Sequence, residues 1–388
     1  MVNIIEQLGF YRLVHVSDNQ NLSDDELAVV EQAKEFDIDS VYFCKDEKRS
    51  YPALFLKKVT EFDNNTLKTL AEIQRKIWNY KKILFLYVYT DTEIRIYNCV
   101  QKPLIKKSNT DYGTELSNFE IMTATNADTK KLNVLHNLFS AIAIDTGIIW
   151  TLEEASKIRE RLNIKARVDK YLVNSLINTT TKLLSAGLDI SIIHKIMLRS
   201  LFLLYLEDRG ATDSKFYGEI KPQATSYFEI LNDVKYTYEL YGKLEHHFNG
   251  SLFTITDDEY KKVKDKHLQL IKKCFTYGDD GVNQDYLPFG ERIFDFKIIQ
   301  IELLSEIYES FLAAMEPGER HQTGTFYTPP PLVEFILNEK LPIDSKEKVY
   351  NIKILDPACG SGIFLVESFK RWHSEIPSAK ERIPLLVF

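Results

Sequence analysis

Seven consecutive residues, Asp356-Pro357-Ala358-Cys359-Gly360-Ser361-Gly362, carry the types needed to hold a small charged ligand. Gly360 and Gly362 remove side chains where a backbone turns sharply and approaches a ligand closely. The apolar segment after them, Ile363 to about Trp372, reads as a helix. Its first amides and its dipole favour an anionic group, either a phosphate or the carboxylate of an amino-acid cofactor. Asp356 is placed to receive cationic or hydroxyl groups of the same ligand, a pairing that suits a zwitterion. A dinucleotide fits less well, because Leu365 stands where the third glycine of its turn belongs. The absence of a Lys-Ser or Lys-Thr pair after the glycines excludes a nucleoside-triphosphate loop.

A second run, Gly324-Thr325-Phe326-Tyr327-Thr328-Pro329, lies upstream. Pro329 to Pro331 bias the preceding residues towards extended geometry and can open a helix, whose apolar face is expected to be Leu332, Phe335 and Ile336. Asn351 to Leu355 reads as a buried strand running into Asp356. Together these runs resemble the S-adenosylmethionine site of adenine-specific (N6) DNA methyltransferases from restriction-modification and phage-defence systems, of the type IIG-like or N-6 DNA methylase kind. The upstream loop resembles that family's motif X and the glycine turn its motif I. The resemblance implies S-adenosylmethionine as cofactor, double-stranded DNA as substrate, and a doubly wound parallel sheet beginning near His321, with cofactor outside the carboxyl ends of its strands. It sets Thr325, Phe326, Tyr327 and Thr328 beside the methionine part of the cofactor and Asp356 near its amino end. Pro357, Ala358, Gly360 and Gly362 would line the turn, with Cys359 a small packing residue.

The family's catalytic loop, Asn/Asp-Pro-Pro-Tyr/Phe, does not occur in these 388 residues. The only adjacent prolines come directly after Thr328, and the residues beyond Gly362 suffice for one helix and a tail. Adenine methylation requires a flipped base held in line with the sulfonium methyl. The expectation is therefore the N-terminal portion of a methyltransferase, truncated or completed by a second polypeptide and inactive alone, with no catalytic or metal-binding residue assigned. Val366, Phe369, Ile383 and Leu385 to Phe388 should then leave an apolar surface or a disordered tail. The alternative is a non-catalytic DNA- or partner-binding subunit that keeps a degenerate methyltransferase start.

Other candidate groups have blander readings. A metal-dependent nuclease would pair an Asp with a Glu or Asp two residues before a Lys. Asp37 and Asp39 precede one strand and Lys57 lies on the next, but Phe55 and Leu56 occupy the positions two before Lys57 and Lys58. A nuclease-like or unrelated α/β scaffold that positions DNA or a partner, without the metal site, is the preferred reading. Lys157, Arg161 and Lys165 are expected on one helical face as a phosphate-contacting candidate, and Lys261 to Lys273 holds six lysines against Asp265 alone. His246 and His247 read as a helix end. The charges of Tyr205 to Gly210 are expected to pair within a helical bundle, and Ile298 to Leu312, after Phe294-Asp295-Phe296, to form a supporting amphipathic helix.

The elements that must position these groups are set by periodicity. Ser40 to Cys44, Ala53 to Val59, Ile83 to Tyr89 and Glu93 to Cys99 alternate as strands, the last two as a hairpin about Thr90 to Thr92, and Leu67 to Tyr80 has helical spacing. Val168, Leu172, Leu176 and the run Ile192 to Leu206 place apolar residues three and four apart, with Gly210, Gly242, Gly250, Gly281 and Gly290 marking breaks. The expected fold class is α/β plus α. Residues 1–104 form a small α/β nuclease-like module, 105–131 a linker, 132–320 a helical connector, and 321–388 the start of the methyltransferase domain. The formal charge of −7 restricts any nucleic-acid contact to a local surface. The start, with Glu6 and Asp18 and no basic cluster, lacks a secretory pattern, and the densest apolar run is far shorter than the roughly 20 residues of a membrane span. Cys44, Cys99, Cys274 and Cys359 are unpaired in spacing, so no membrane association and a reducing cytoplasmic location are expected.

Overall fold

The computed structural model describes residues 4–18, 22–45, 50–104, 111–248, 252–279, 292–300, 307, 310–311, 328, 330–341, 353–357 and 362–374. The chain divides into two compact units, Met1–Gln300 and Ile301–Phe388. The first unit begins with α1 (Ile4–Gln7), β1 (Leu13–His15), α2 (Asp24–Glu35), β2 (Ser40–Lys45), β3 (Ser50–Lys58), α3 (Asn64–Tyr80), β4 (Phe85–Tyr89), β5 (Glu93–Asn98), α4 (Tyr112–Ser117) and β6 (Glu120–Thr125). It continues with α5 (Thr129–Phe139), α6 (Ala141–Thr146), α7 (Ser156–Arg161), α8 (Val168–Ser185), α9 (Ile190–Asp208), α10 (Ser214–Gly218), α11 (Tyr227–Ile230), α12 (Val234–Glu245), α13 (Asp257–Lys262) and α14 (Asp265–Tyr277). In the second unit the described helices are α15 (Pro330–Lys340) and α16 (Ile363–Ser374).

The six strands lie in sequence order, β1 to β6, antiparallel except for the parallel pair β3–β4, which α3 connects. Alternation sorts the strand residues between two cores. Phe85, Tyr87, Tyr89, Leu54, Leu56 and Ile96 join α1 and α5 on one face. Leu86, Val88, Phe55, Val41 and Tyr97 meet Val30 and Ala33 of α2 and Leu70 and Ile77 of α3 on the other. β4 is buried throughout, as a central strand covered on both faces must be. The β4–β5 turn is fixed by Thr90, whose hydroxyl accepts the amides of Thr92 and Glu93 at 3.2 and 3.0 Å.

α2 is tied to the β2–β3 hairpin by one carboxylate. Glu26 closes a capping box with Ser23 and also receives the Ser50 hydroxyl at 2.8 Å and the Lys45 ammonium at 3.1 Å. Burial opposes its ionisation, but hydrogen bonds from the Ser23 amide, Ser50, Lys45 and the Ser23 hydroxyl outweigh it and hold the carboxyl at about 2, below the ordinary 4.5. A depressed folded-state value stabilises the fold above 4.5, and that stabilisation is lost as pH falls through about 2. Glu26→Gln is therefore expected to cost about 1 kcal/mol near neutral pH. In urea titrations across pH, the gap between variant and parent should close towards the acid end; a gap independent of pH would contradict this account.

Four differences from the sequence reading concern the course of the elements in the first unit. Residues 111–131, read as linker, carry α4, β6 and the start of α5, with Leu116 and Phe119 buried. They are polar because β6 is an edge strand, not because they are unstructured. Second, the expected boundary between an α/β module and a helical connector is not a break between compact units. The end of α3 is hooked into the Ile164–Ala166 turn and residues 292–299: Trp78 donates its indole N–H to the Ala166 carbonyl at 2.8 Å, Asn79 bonds Ile293 and Asp295 at 2.8 and 3.0 Å, and Phe294 lies 5.8 Å from the Trp78 ring. Third, Gly242 sits inside α12 and marks no break. Fourth, Phe296 to Ile299 form a turn capped by Asp295, so the expected helix does not begin at Ile298, although Ile307, Ser310 and Phe311 within its range are helical; Gly250, Gly281, Gly290 and most of residues 301–312 lie outside the described residues.

The helical expectation holds for α8, α9 and α14, which pack through residues such as Leu172, Leu176, Ile193, Ile196, Leu268 and Ile271. The charges closing α9 do pair within this unit. Glu207 accepts the Tyr227 amide at 2.5 Å, and Asp208 pairs with Arg292 and accepts the Phe296 amide at 2.9 Å. Burial raises both carboxyls above their ordinary values. His246 is the C-cap residue of α12. Among the described residues no helix is long and apolar enough to cross a membrane.

Candidate cofactor site

In the second unit Pro330 opens α15, where its missing N–H costs nothing and its fixed φ suits the first helical position. Val333 and Leu337, one turn apart, are the buried residues of α15 among those described, and they cluster with Ile363 and Phe364 at the start of α16. Leu332, Phe335 and Ile336, the face expected to be buried, are 48%, 63% and 37% exposed. α15 is apolar on two adjacent stripes, and periodicity alone does not rank them. Arg371, two turns further along α16, donates to the carbonyls of Leu341 and Glu334 at 3.1 and 3.4 Å. The two helices therefore pack against each other, with Thr328 preceding α15 and Gly362 preceding α16 in the chain.

Gly362 has φ +78°, in the left-handed region, and a Cβ built on it would meet no atom of the described residues within 4 Å. The backbone therefore requires glycine for its conformation, and the space in front of it is open. The Val366 amide closes the first turn onto the Gly362 carbonyl at 2.9 Å. The amides of residues 363–365 have no acceptor within the helix, as at any helix start. An open approach, helix-start amides and a carboxylate at Asp356 fit an amino acid presenting both charges.

Residues 353–357 have no regular secondary structure, and Ile354 and Leu355 are 43% and 86% exposed. This corrects the buried-strand reading of Asn351 to Leu355. A strand of a parallel sheet is buried only between neighbouring strands, and among the described residues none pairs with it. Of the residues assigned to the site from sequence, the structure places Thr328, Asp356, Pro357 and Gly362, while Thr325, Phe326, Tyr327, Ala358 and Gly360 lie outside the described residues. Val366 and Phe369 are each 37% exposed, so the apolar surface expected there is present; Ile383 and Leu385 to Phe388 are not described.

At the other candidate positions, the Lys57 ammonium bonds the Asp37 carboxylate at 2.9 Å and its carbonyl at 2.6 Å, while Asp39 accepts the Lys58 amide at 2.6 Å. Phe55 is fully buried in the core. Among the described residues no group of three His, Cys, Asp or Glu is placed to hold a metal. Lys157, Arg161 and Lys165 do not share a helical face: α7 ends at Arg161, and Lys165 lies in a separate short 3-10 turn, Ile164–Ala166. Two arginines of this stretch are spent on the fold, Arg159 on the carbonyls of Ile149 and Leu152 and Arg161 on that of Asn118.

Comparison with known proteins defines the class first. Residues 299–383, which contain both helices and the glycine turn, match the family described as N-6 DNA Methylase. More particularly, the chain is 28% identical over 241 residues to the Type I restriction enzyme MjaVII methylase subunit of Methanocaldococcus jannaschii, a match covering 60% of this chain and 35% of that protein. The chain thus spans about a third of the length of this curated relative. No solved structure matches it. The resemblance to an N-6 DNA methyltransferase of the restriction-modification type, read from the two motifs, is what both matches return.

Proposed function

We propose that this chain supplies the S-adenosylmethionine-binding start of an adenine-N6-specific methyltransferase acting on duplex DNA in the cytoplasm as part of a restriction-modification system. The observation that carries the reading is the left-handed Gly362 at the start of α16, a helix that packs against α15, with Asp356 just ahead of it in the chain. Bound S-adenosylmethionine would supply an electrophilic methyl on its sulfonium. The helix-start amides of α16 would take the carboxylate of its methionine part, and Asp356 would face the ammonium. Thr325, Phe326, Tyr327 and Thr328 would close the entrance, with Pro357, Ala358 and Gly360 completing the turn.

Transfer also needs a loop that grips the flipped adenine, and the Asn/Asp-Pro-Pro-Tyr/Phe form of that loop is not in this sequence. A further polypeptide segment carrying it is part of the proposal, and the exposed Ile354 and Leu355 favour strands arriving beside residues 353–356. These 388 residues alone are expected to incorporate no labelled methyl into DNA and to bind S-adenosylmethionine weakly in calorimetry. Mixed with a polypeptide bearing the loop, they should methylate adenine. Failure with every such polypeptide would leave the non-catalytic binding subunit as the correct reading.

A further inference from the structure

The second lysine cluster faces an open concavity. A shallow groove of about 640 Å³ lies between the start of α12 and the α13–α14 corner, lined by Val234, Tyr260, Val263, Asp265 and three lysines, Lys261, Lys264 and Lys266. Lys262, which points elsewhere, is neutralised by Asp189 and Asp258 at 2.7 and 2.8 Å. The three groove lysines form no ion pair among the described residues. Lys264 reaches only the Lys261 carbonyl, at 2.9 Å, which leaves it two further donors. The one carboxylate in the groove, Asp265, accepts the Val234 amide at 2.9 Å. Lys264 is moreover the N-cap of α14, without a side-chain cap bond, and Lys266 lies in the first turn. Cations there oppose the helix dipole, where Ser, Asp or Asn would stabilise it. The amides of Asp265 and Lys266 find no acceptor among the described residues. Three lysines, two open amides and an unfavourable cap in one concavity form an arrangement that an anion would complete.

We propose that this groove takes the phosphates of a DNA duplex. It is too open to enclose a small molecule, and Tyr260, 47% exposed, gives its wall a flat apolar face along which a polyanion can pass. The choice of DNA as the occupant rests on the proposed function. The test is fluorescence anisotropy of a labelled duplex with the full chain at several salt concentrations. A Lys261→Gln/Lys264→Gln/Lys266→Gln variant is compared with a Lys34→Gln/Lys68→Gln/Lys130→Gln control, which removes the same charge from exposed positions elsewhere. The groove variant should bind at least about tenfold more weakly, and the slope of log affinity against log salt should fall by about 2 to 3, at roughly 0.9 for each phosphate no longer neutralised. The control should keep the parental slope. Should the triple variant melt early in circular dichroism, Lys266→Gln alone must lower the slope by about 1. Equal weakening in both variants, an unchanged slope, or no duplex binding by the parent overturns the proposal. Methylation by the assembled enzyme, assayed in parallel, separates the two readings: groove-dependent binding without methylation sinks the proposed function alone, and methylation with groove-independent binding sinks the groove alone.

Discussion

Arg199→Ala is expected to destabilise the first unit by about 3 to 5 kcal/mol, the cost of leaving one member of a buried ion pair alone. Arg199 on α9 and Glu259 on α13 are 0% and 1% exposed and pair directly. The guanidinium also donates to the carbonyls of Leu252 and Thr254 at 2.7 and 2.9 Å and rests 4.8 Å from the centre of the Tyr241 ring. Glu259 receives the Tyr238 hydroxyl at 3.0 Å, and beside the pair a chain of hydroxyls runs from Tyr241 through Tyr227 to Ser200, each link 2.8 Å. Truncating the arginine orphans the carboxylate and two carbonyls together. Urea unfolding followed by circular dichroism should show the midpoint collapse, and Arg199→Met with Glu259→Leu should recover most of it, since no charge is then left buried. A loss below about 1 kcal/mol in the single variant would mean that water already reaches the pair.

Gly362→Val should reduce methyl incorporation by the assembled enzyme at least about a hundredfold, equivalent to about 2.8 kcal/mol. Two effects act together: a β-branched residue at φ +78° is a backbone outlier, and its methyls would occupy the open space in front of the turn. Gly362→Ala separates them. Its Cβ meets no atom of the described residues, so the expected cost to folding is the backbone term of about 1 to 2 kcal/mol. If that variant folds and keeps full activity, no ligand approaches Gly362 and the site assignment fails. Thermal unfolding of residues 1–300 should not change in either variant, because Gly362 belongs to the other compact unit.

The sheet was legible where alternation was strong and buried. β2 to β5 obey the pattern of Tyr42, Phe55, Leu86 and Ile96 against their neighbours, and α3 obeys its apolar stripe. β1, three residues long, and β6, an edge strand whose Glu120 and Thr123 bond each other across its partly exposed face, offered too little apolar contrast. The family resemblance was legible because its motif is local, contained between Asp356 and Gly362. Features that depend on distant partners were not. Arg199 sits in an apolar run without any sign of the glutamate sixty positions later. The helical face expected for Lys157, Arg161 and Lys165 is broken at Leu162 and Asn163, where the Asn163 side chain takes the Lys165 amide at 3.0 Å. On α15 two apolar stripes competed, and only the position of Ile363 decides for Val333 and Leu337.

The hook formed by Trp78, Asn79 and Phe294 bears on how such a protein can change over evolutionary time. Because the helix crossing beneath the sheet finishes inside the helical bundle, the N-terminal portion cannot be exchanged as a detachable cassette. A recombination joint placed anywhere between the two would uncover an indole and strand an amide. Lineages descending from this chain should therefore inherit both parts together, or replace both at once.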